Sequence, residues 1–76
     1  MLILYTKNNC KYCGKVKFAF LEKGISYEER NIADQEFLNE AKSYGALTMP
    51  LLVDTQAKAA IKETDEIVDY ISEYAF

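Results

Sequence analysis

The sequence contains no histidine and no tryptophan, and only one proline, three glycines and two cysteines among its 76 residues. With two cysteines and no histidine, a four-ligand zinc site lacks its donors. An iron–sulfur cluster would need further ligands from a second subunit or an exogenous thiol. No apolar run exceeds a few residues, so no helix predicted here can span a bilayer. Met1-Leu2-Ile3-Leu4 lacks the basic leader and small-residue cleavage site of a secretory signal, and a cytoplasmic location is expected. Internal repeats, linkers and low-complexity tracts are also missing. What is present is an apolar half (50%) rich enough in aromatics to pack a globule. One domain over residues 1–76 is expected, near the size at which a single core only just suffices.

The net charge of −3 is unevenly spread. Lys7, Lys11, Lys15, Lys17 and Lys23 against Glu22 alone give residues 1–23 a charge of +4, and the rest of the chain carries −7. For Lys17 and Lys23 the expectation is a solvated helix face. Lys7 and Lys11 flank a cysteine, where a positive field on a thiolate is the alternative reading. So acidic a remainder opposes binding to nucleic acid.

Leu2-Ile3-Leu4-Tyr5 reads as a strand buried on both faces, and Lys7-Asn8-Asn9 as a turn. A helix is predicted from Lys11 to Lys23, with Val16, Ala19, Phe20 and Lys23 on one face and Gly24 as its stop. Ile25 to Ile32 reads as a second strand. Asp34 caps a helix running to about Tyr44 on a stripe of Phe37, Leu38, Ala41 and Tyr44, and Gly45 ends it. Leu51-Leu52-Val53 is the third strand, Asp54 to Ala57 a turn, and Lys58 to Ile61 a fourth strand. Thr64 is the expected cap of the last helix, with Asp65 and Glu66 in its first turn and Ile67, Val68, Ile71 and Tyr74 buried, joined by Tyr70. Helical crossovers make neighbouring strands parallel and a four-residue turn makes them antiparallel. The order β-α-β-α-β-β-α thus gives an α/β fold, a mixed four-stranded sheet flanked by three helices.

The chemistry lies in Cys10-Lys11-Tyr12-Cys13. Only the thiolate attacks disulfides, and a free thiol with a pKa near ~8.5 supplies little of it at neutral pH. At a helix N-terminus, unsatisfied backbone N–H groups and the dipole favour that anion on Cys10. Cys13 shares the helix face with it, with Cα atoms roughly 5–6 Å apart, as a disulfide needs. Cys10 is then the nucleophile and the deeper Cys13 the resolving thiol. Plainer readings stand beside this one. A structural disulfide across so short a loop stabilises little, because the entropic benefit grows with loop length. A pair of inert buried thiols is the remaining alternative.

Three separated features carry a family resemblance. They are Tyr5-Thr6-Lys7-x-x-Cys10-x-Tyr12-Cys13 after a short apolar strand, Gly45-x-x-Thr48-Met49-Pro50 before another, and Glu63-Thr64-Asp65-x-Ile67-x-x-Tyr70-Ile71 opening the last helix. On these the chain resembles the glutaredoxin family, with a thioredoxin-like fold. The resemblance implies a cis Met49–Pro50 bond beside Cys10, with the extended backbone of Met49 pairing with the cysteinyl part of glutathione. It implies that Thr64 binds the γ-glutamyl carboxylate at the helix N-terminus and that Asp65 or Glu63 takes its ammonium. Lys7 would meet the glycine carboxylate, and Tyr12 and Thr48 would line the groove. As a helix cap and a dipole-compatible acid, Thr64 and Asp65 need no ligand. The chain departs from the family in having Lys11 where proline is usual, in lacking a Gly-Gly pair at Ala59-Ala60-Ile61-Lys62, and in placing Leu47 where a polar residue often assists.

The expected function is glutathione-dependent thiol–disulfide exchange by a monomeric chain. Glutathione is the co-substrate, and disulfide-bearing or glutathionylated proteins are the partners. No metal, nucleic acid or membrane is expected to take part. One alternative is a thioredoxin-like electron donor reduced by a flavin reductase and serving an enzyme such as ribonucleotide reductase. The other is a non-catalytic module that holds glutathione or a peptide.

Overall fold

The computed structural model describes residues 1–74. Its elements are β1 (Leu2–Thr6), α1 (Lys11–Lys23), β2 (Glu28–Asn31), α2 (Gln35–Ser43), β3 (Leu51–Asp54), β4 (Ala59–Ile61) and α3 (Thr64–Tyr74). They form one four-stranded sheet in the order β2-β1-β3-β4. β1 runs parallel to β2, whereas β3 is antiparallel to both β1 and β4. This is the thioredoxin-like α/β fold expected from the sequence.

Strand alternation distributes the core. Ile3 and Tyr5 of β1, with Leu51 and Val53 of β3, face α2 and pack with Ala41 and the half-buried Phe37. Leu2, Leu4 and Leu52 face the other way, onto Val16 and Phe20 of α1 and Ile67 and Ile71 of α3. Each fully buried side chain of this size contributes about 1.5–3 kcal/mol of transfer free energy. β1 and β3 are covered on both faces, which explains why they read as unbroken apolar runs.

The element ends differ in places from the sequence reading. β2 is confined to Glu28–Asn31 and does not begin at Ile25. Ile25 N–H is taken by the Phe20 carbonyl as the chain leaves α1, and Tyr27 stacks on Phe20 with ring centroids 4.1 Å apart. Both residues therefore serve the core from outside the strand. Lys23 is exposed, not part of the buried face. Tyr44 and Tyr74, at the C-terminal ends of α2 and α3, are only partly covered and lie outside the buried stripes. The turn expected at Asp54–Ala57 lies one residue later. Asp54 stays in β3 opposite Leu2, and its carboxylate accepts from the N–H groups of Gln56 and Ala57. Lys58 closes that turn at φ 54°. Thr64 is the first helical residue of α3. The cap position falls on Glu63, whose carbonyl accepts the first intrahelical bond, from Ile67 N–H at 2.9 Å.

Candidate functional site

The C-terminal end of β1 and the N-termini of α1 and α3 converge on one edge of the molecule, where the Met49–Pro50 loop also arrives. Lys7-Asn8-Asn9 turns the chain from β1 into α1, and Asn9 takes a left-handed backbone (φ 56°) that asparagine tolerates. Cys10 is the N-cap of α1. Its backbone is extended, and its Sγ lies 3.1 Å from the Cys13 N–H that it accepts from. Gly14 N–H then closes the first turn on the Cys10 carbonyl. Sulfur thus replaces the oxygen of an ordinary capping side chain, at the positive end of a 13-residue helix.

Cys10 and Cys13 are joined as a disulfide, with Cα atoms 5.2 Å apart. Cys10 is half-buried and Cys13 is buried. Although α1 lies mainly on the α3 side of the sheet, Cys13 packs with the α2-side cluster, beside Met49 and Ala46. The disulfide therefore sits beyond the C-terminal end of the central strand β1. The Met49–Pro50 bond is cis, and the Met49 carbonyl oxygen lies 3.9 Å from Cys10 Sγ.

Next to the disulfide a groove of about 500 Å³ opens between α1, the proline loop and the start of α3. Six of the residues singled out in the sequence line it together: Lys7, Tyr12, Thr48, Glu63, Thr64 and Asp65. Met49 lines a second, smaller groove of about 140 Å³ on the α2 side, which shares Lys7 and Thr48 with the first and has Leu47 on its rim. Pro50 is buried and lines neither groove. Lys11 is exposed, with its ammonium 5.7 Å from the centroid of the Tyr12 ring.

Two further lysines line the main groove that the sequence had not singled out. Lys15 Nζ is 3.7 Å from Asp65 Oδ1, joining α1 to α3 across the groove. Lys62 directly precedes Glu63. Lys15 stands three residues after Tyr12, hence on the same helical face, and that spacing was the available signal. Lys17, expected as a plain solvated lysine, pairs with Glu29 at 2.7 Å. Together with a hydrogen bond from buried Thr6, this pairing holds the Glu29 carboxyl below its ordinary range. At the other edge Tyr5 Oη donates to Glu40, which also receives Arg30 Nη1 at 2.6 Å. Burial, with the Glu40 bond second, pushes the Tyr5 hydroxyl up to about 12. These bonds tie β1, β2 and α2 into the frame that carries Lys7 and the first turn of α1.

No helix among the described residues is long and apolar enough to cross a membrane.

The glutathione S-transferase N-terminal domain family matches residues 4–75. No curated protein matches the chain. Among solved structures, the thioredoxin-like protein BC3987 aligns with a TM-score of 0.80 at 20% identity, over 93% of this chain and 99% of that one. The glutaredoxin-like NrdH-redoxin from Escherichia coli, described as having a thioredoxin-like activity profile, aligns at 0.74 and 22% identity over 87% and 88%. A glutathione S-transferase from Methylobacillus flagellatus KT with glutathione bound aligns at 0.75 and 22% identity. It covers 96% of this chain but only 36% of that longer one. These likenesses agree on the thioredoxin-like fold, and the chain belongs to the glutathione S-transferase N-terminal domain family.

Proposed function

We propose that the protein is a glutathione-dependent thiol–disulfide oxidoreductase. The observation that carries the reading is the groove beside the disulfide, where Lys7, Tyr12, Thr48, Glu63, Thr64 and Asp65 come together. In the reduced protein the Cys10 thiolate attacks a glutathionylated protein, forming a Cys10–glutathione disulfide and expelling the target thiolate. A second glutathione thiolate then attacks that disulfide, regenerates Cys10 and leaves as glutathione disulfide. Alternatively, Cys13 displaces glutathione and forms the Cys10–Cys13 bond, which two further glutathiones reduce. Each route moves two electrons from thiols to the target disulfide. Lys7 takes the glycine carboxylate, Thr64 and its helix N-terminus the glutamyl carboxylate, and the backbone of Met49 aligns the cysteinyl unit.

Cys10→Ser should abolish reduction of a glutathionylated peptide by glutathione, whereas Cys13→Ser should keep a large share of it. An active Cys10→Ser variant would overturn the mechanism. A second reading, a thioredoxin-like electron donor, draws support from the near full-length likeness to NrdH-redoxin. It also draws support from Lys15, which already occupies the Asp65 carboxylate. Reduction of the oxidised protein by thioredoxin reductase and NADPH, but not by glutathione, would select that reading.

A further inference from the structure

We infer that Lys62 is a second cationic anchor of the groove, placed to bind the glutamyl carboxylate of glutathione. The inference rests on the glutathione reading above and names a residue which that reading does not use. Five charged side chains line the groove: Lys7, Lys15, Lys62, Glu63 and Asp65. Lys15 and Asp65 face each other at 3.7 Å. Among the described residues this leaves Lys7, Lys62 and Glu63 without an ion-pair partner. Glutathione carries two carboxylates and one ammonium, the complement of two lysines and one glutamate.

Position assigns the pairs. Lys7 stands on the turn into the dithiol helix, so it meets the glycine end. Lys62 immediately precedes Glu63 and Thr64, so it meets the glutamyl end, whose ammonium Glu63 receives. Lys62 follows β4 and lines the groove, and its ammonium lies beside Gly45 of the turn after α2. The Lys62 ammonium rests against this glycine, 3.2 Å from where a Cβ would stand, and Gly45 itself holds φ +78°. A Cβ there would crowd the ammonium, which would have to shift by a few tenths of an ångström. The carboxylate thus meets the Lys62 charge and the N–H groups at the start of α3 together, whereas the helix terminus alone offers only dipoles.

The test uses S-methylglutathione, which binds without reacting, and its analogue with the glutamyl carboxylate converted to an amide. Calorimetry on the wild-type protein should show the acid binding more tightly than the amide. Lys62→Met should weaken the acid about two- to fivefold, the range of an exposed ion pair, and leave the amide unmoved, while Lys62→Arg restores the difference. An equal effect on both ligands, no effect, or no binding of the acid by the wild type overturns the anchor. Turnover of a glutathionylated peptide, measured alongside, separates the two readings. Turnover with Lys62→Met binding like wild type removes the anchor and keeps the function. The expected binding pattern without turnover removes the function and keeps the anchor.

Discussion

Asp54 is a carboxylate buried at the end of a central strand, and its partners decide what that burial costs. It accepts from Tyr70 Oη and from the N–H groups of Gln56 and Ala57. The Tyr70 bond is the largest cause holding the Asp54 carboxyl below its ordinary value of 3.8, with the two backbone donors adding to it. The same bond pushes Tyr70 up to about 12. A depressed carboxyl contributes stability that is present above its unfolded pKa and lost as pH falls through the folded one. A raised tyrosine contributes stability that is full below 10 and lost as pH rises toward about 12. Tyr70→Phe should therefore destabilise the protein by about 1–3 kcal/mol at neutral pH, the cost of leaving a buried acceptor short of a donor. The difference in thermal midpoint between variant and wild type should shrink as the solution is acidified below the ordinary aspartate range. A difference that stays constant into acid would show that the hydroxyl serves Asp54 no better than water.

At the scale of the element, α1 carries two glycines with opposite consequences. Gly14 lies in the helix interior and Gly24 is the C-cap at φ 65°, yet a Cβ would meet nothing within 4 Å at either position. With sterics removed, only backbone preference remains. Gly14→Ala should stabilise the protein by about 0.5–1 kcal/mol, because alanine loses less freedom in a helix. Gly24→Ala should cost about 1–2 kcal/mol, because the left-handed conformation crowds a Cβ. Urea denaturation midpoints check both, and shifts of the same sign would refute the argument. α3 shows how local propensity misplaces an end by one residue. Threonine is the better cap by type, but the register of Ile67 and Ile71 in the core sets the helix phase and puts Glu63 at that position. In β2, by contrast, alternation overextended the strand. Ile25 and Tyr27 are apolar because they cover Phe20, and their own backbone belongs to the exit from the helix.

For the whole molecule, stability depends on two thin cores sharing one sheet. A chain of this size has about 4–11 kcal/mol to lose. Phe20 is fully buried between the sheet and α3, while Leu21, one residue on, is 76% exposed. Phe20→Ala should cost about 3–5 kcal/mol and lower the thermal midpoint by more than about 10 °C, whereas Leu21→Ala should scarcely move it. Near- and far-ultraviolet circular dichroism should report one transition for the wild type, since both cores use the same two central strands. Separate transitions at the two wavelengths would mean that the cores melt independently.

The sequence by itself determined the order of elements, the parallel β1–β2 and antiparallel β3–β4 pairings, the two-sided burial of β1, and the placing of Cys10 at a helix start, whereas the antiparallel seat of β3 beside β1 is a result of the packed sheet. These follow from short-range rules of periodicity, capping and connection length, which act within a few residues. Proximity across the chain was decided only by the tertiary structure. The basic first third carries a charge excess of +4 by sequence, but folding brings Asp65 to Lys15 and Glu29 to Lys17, so part of that excess is neutralised by acids 12 to 50 positions away. Lys62 became a groove residue because the start of α3, which it precedes, packs against the turn into α1. Cys13 became part of the α2-side core because the first turn of α1 lies beyond the C-terminal end of β1, where its side chain meets the Ala46–Met49 loop. A sequence pattern records which face a residue needs, and only the packed sheet decides what stands opposite it.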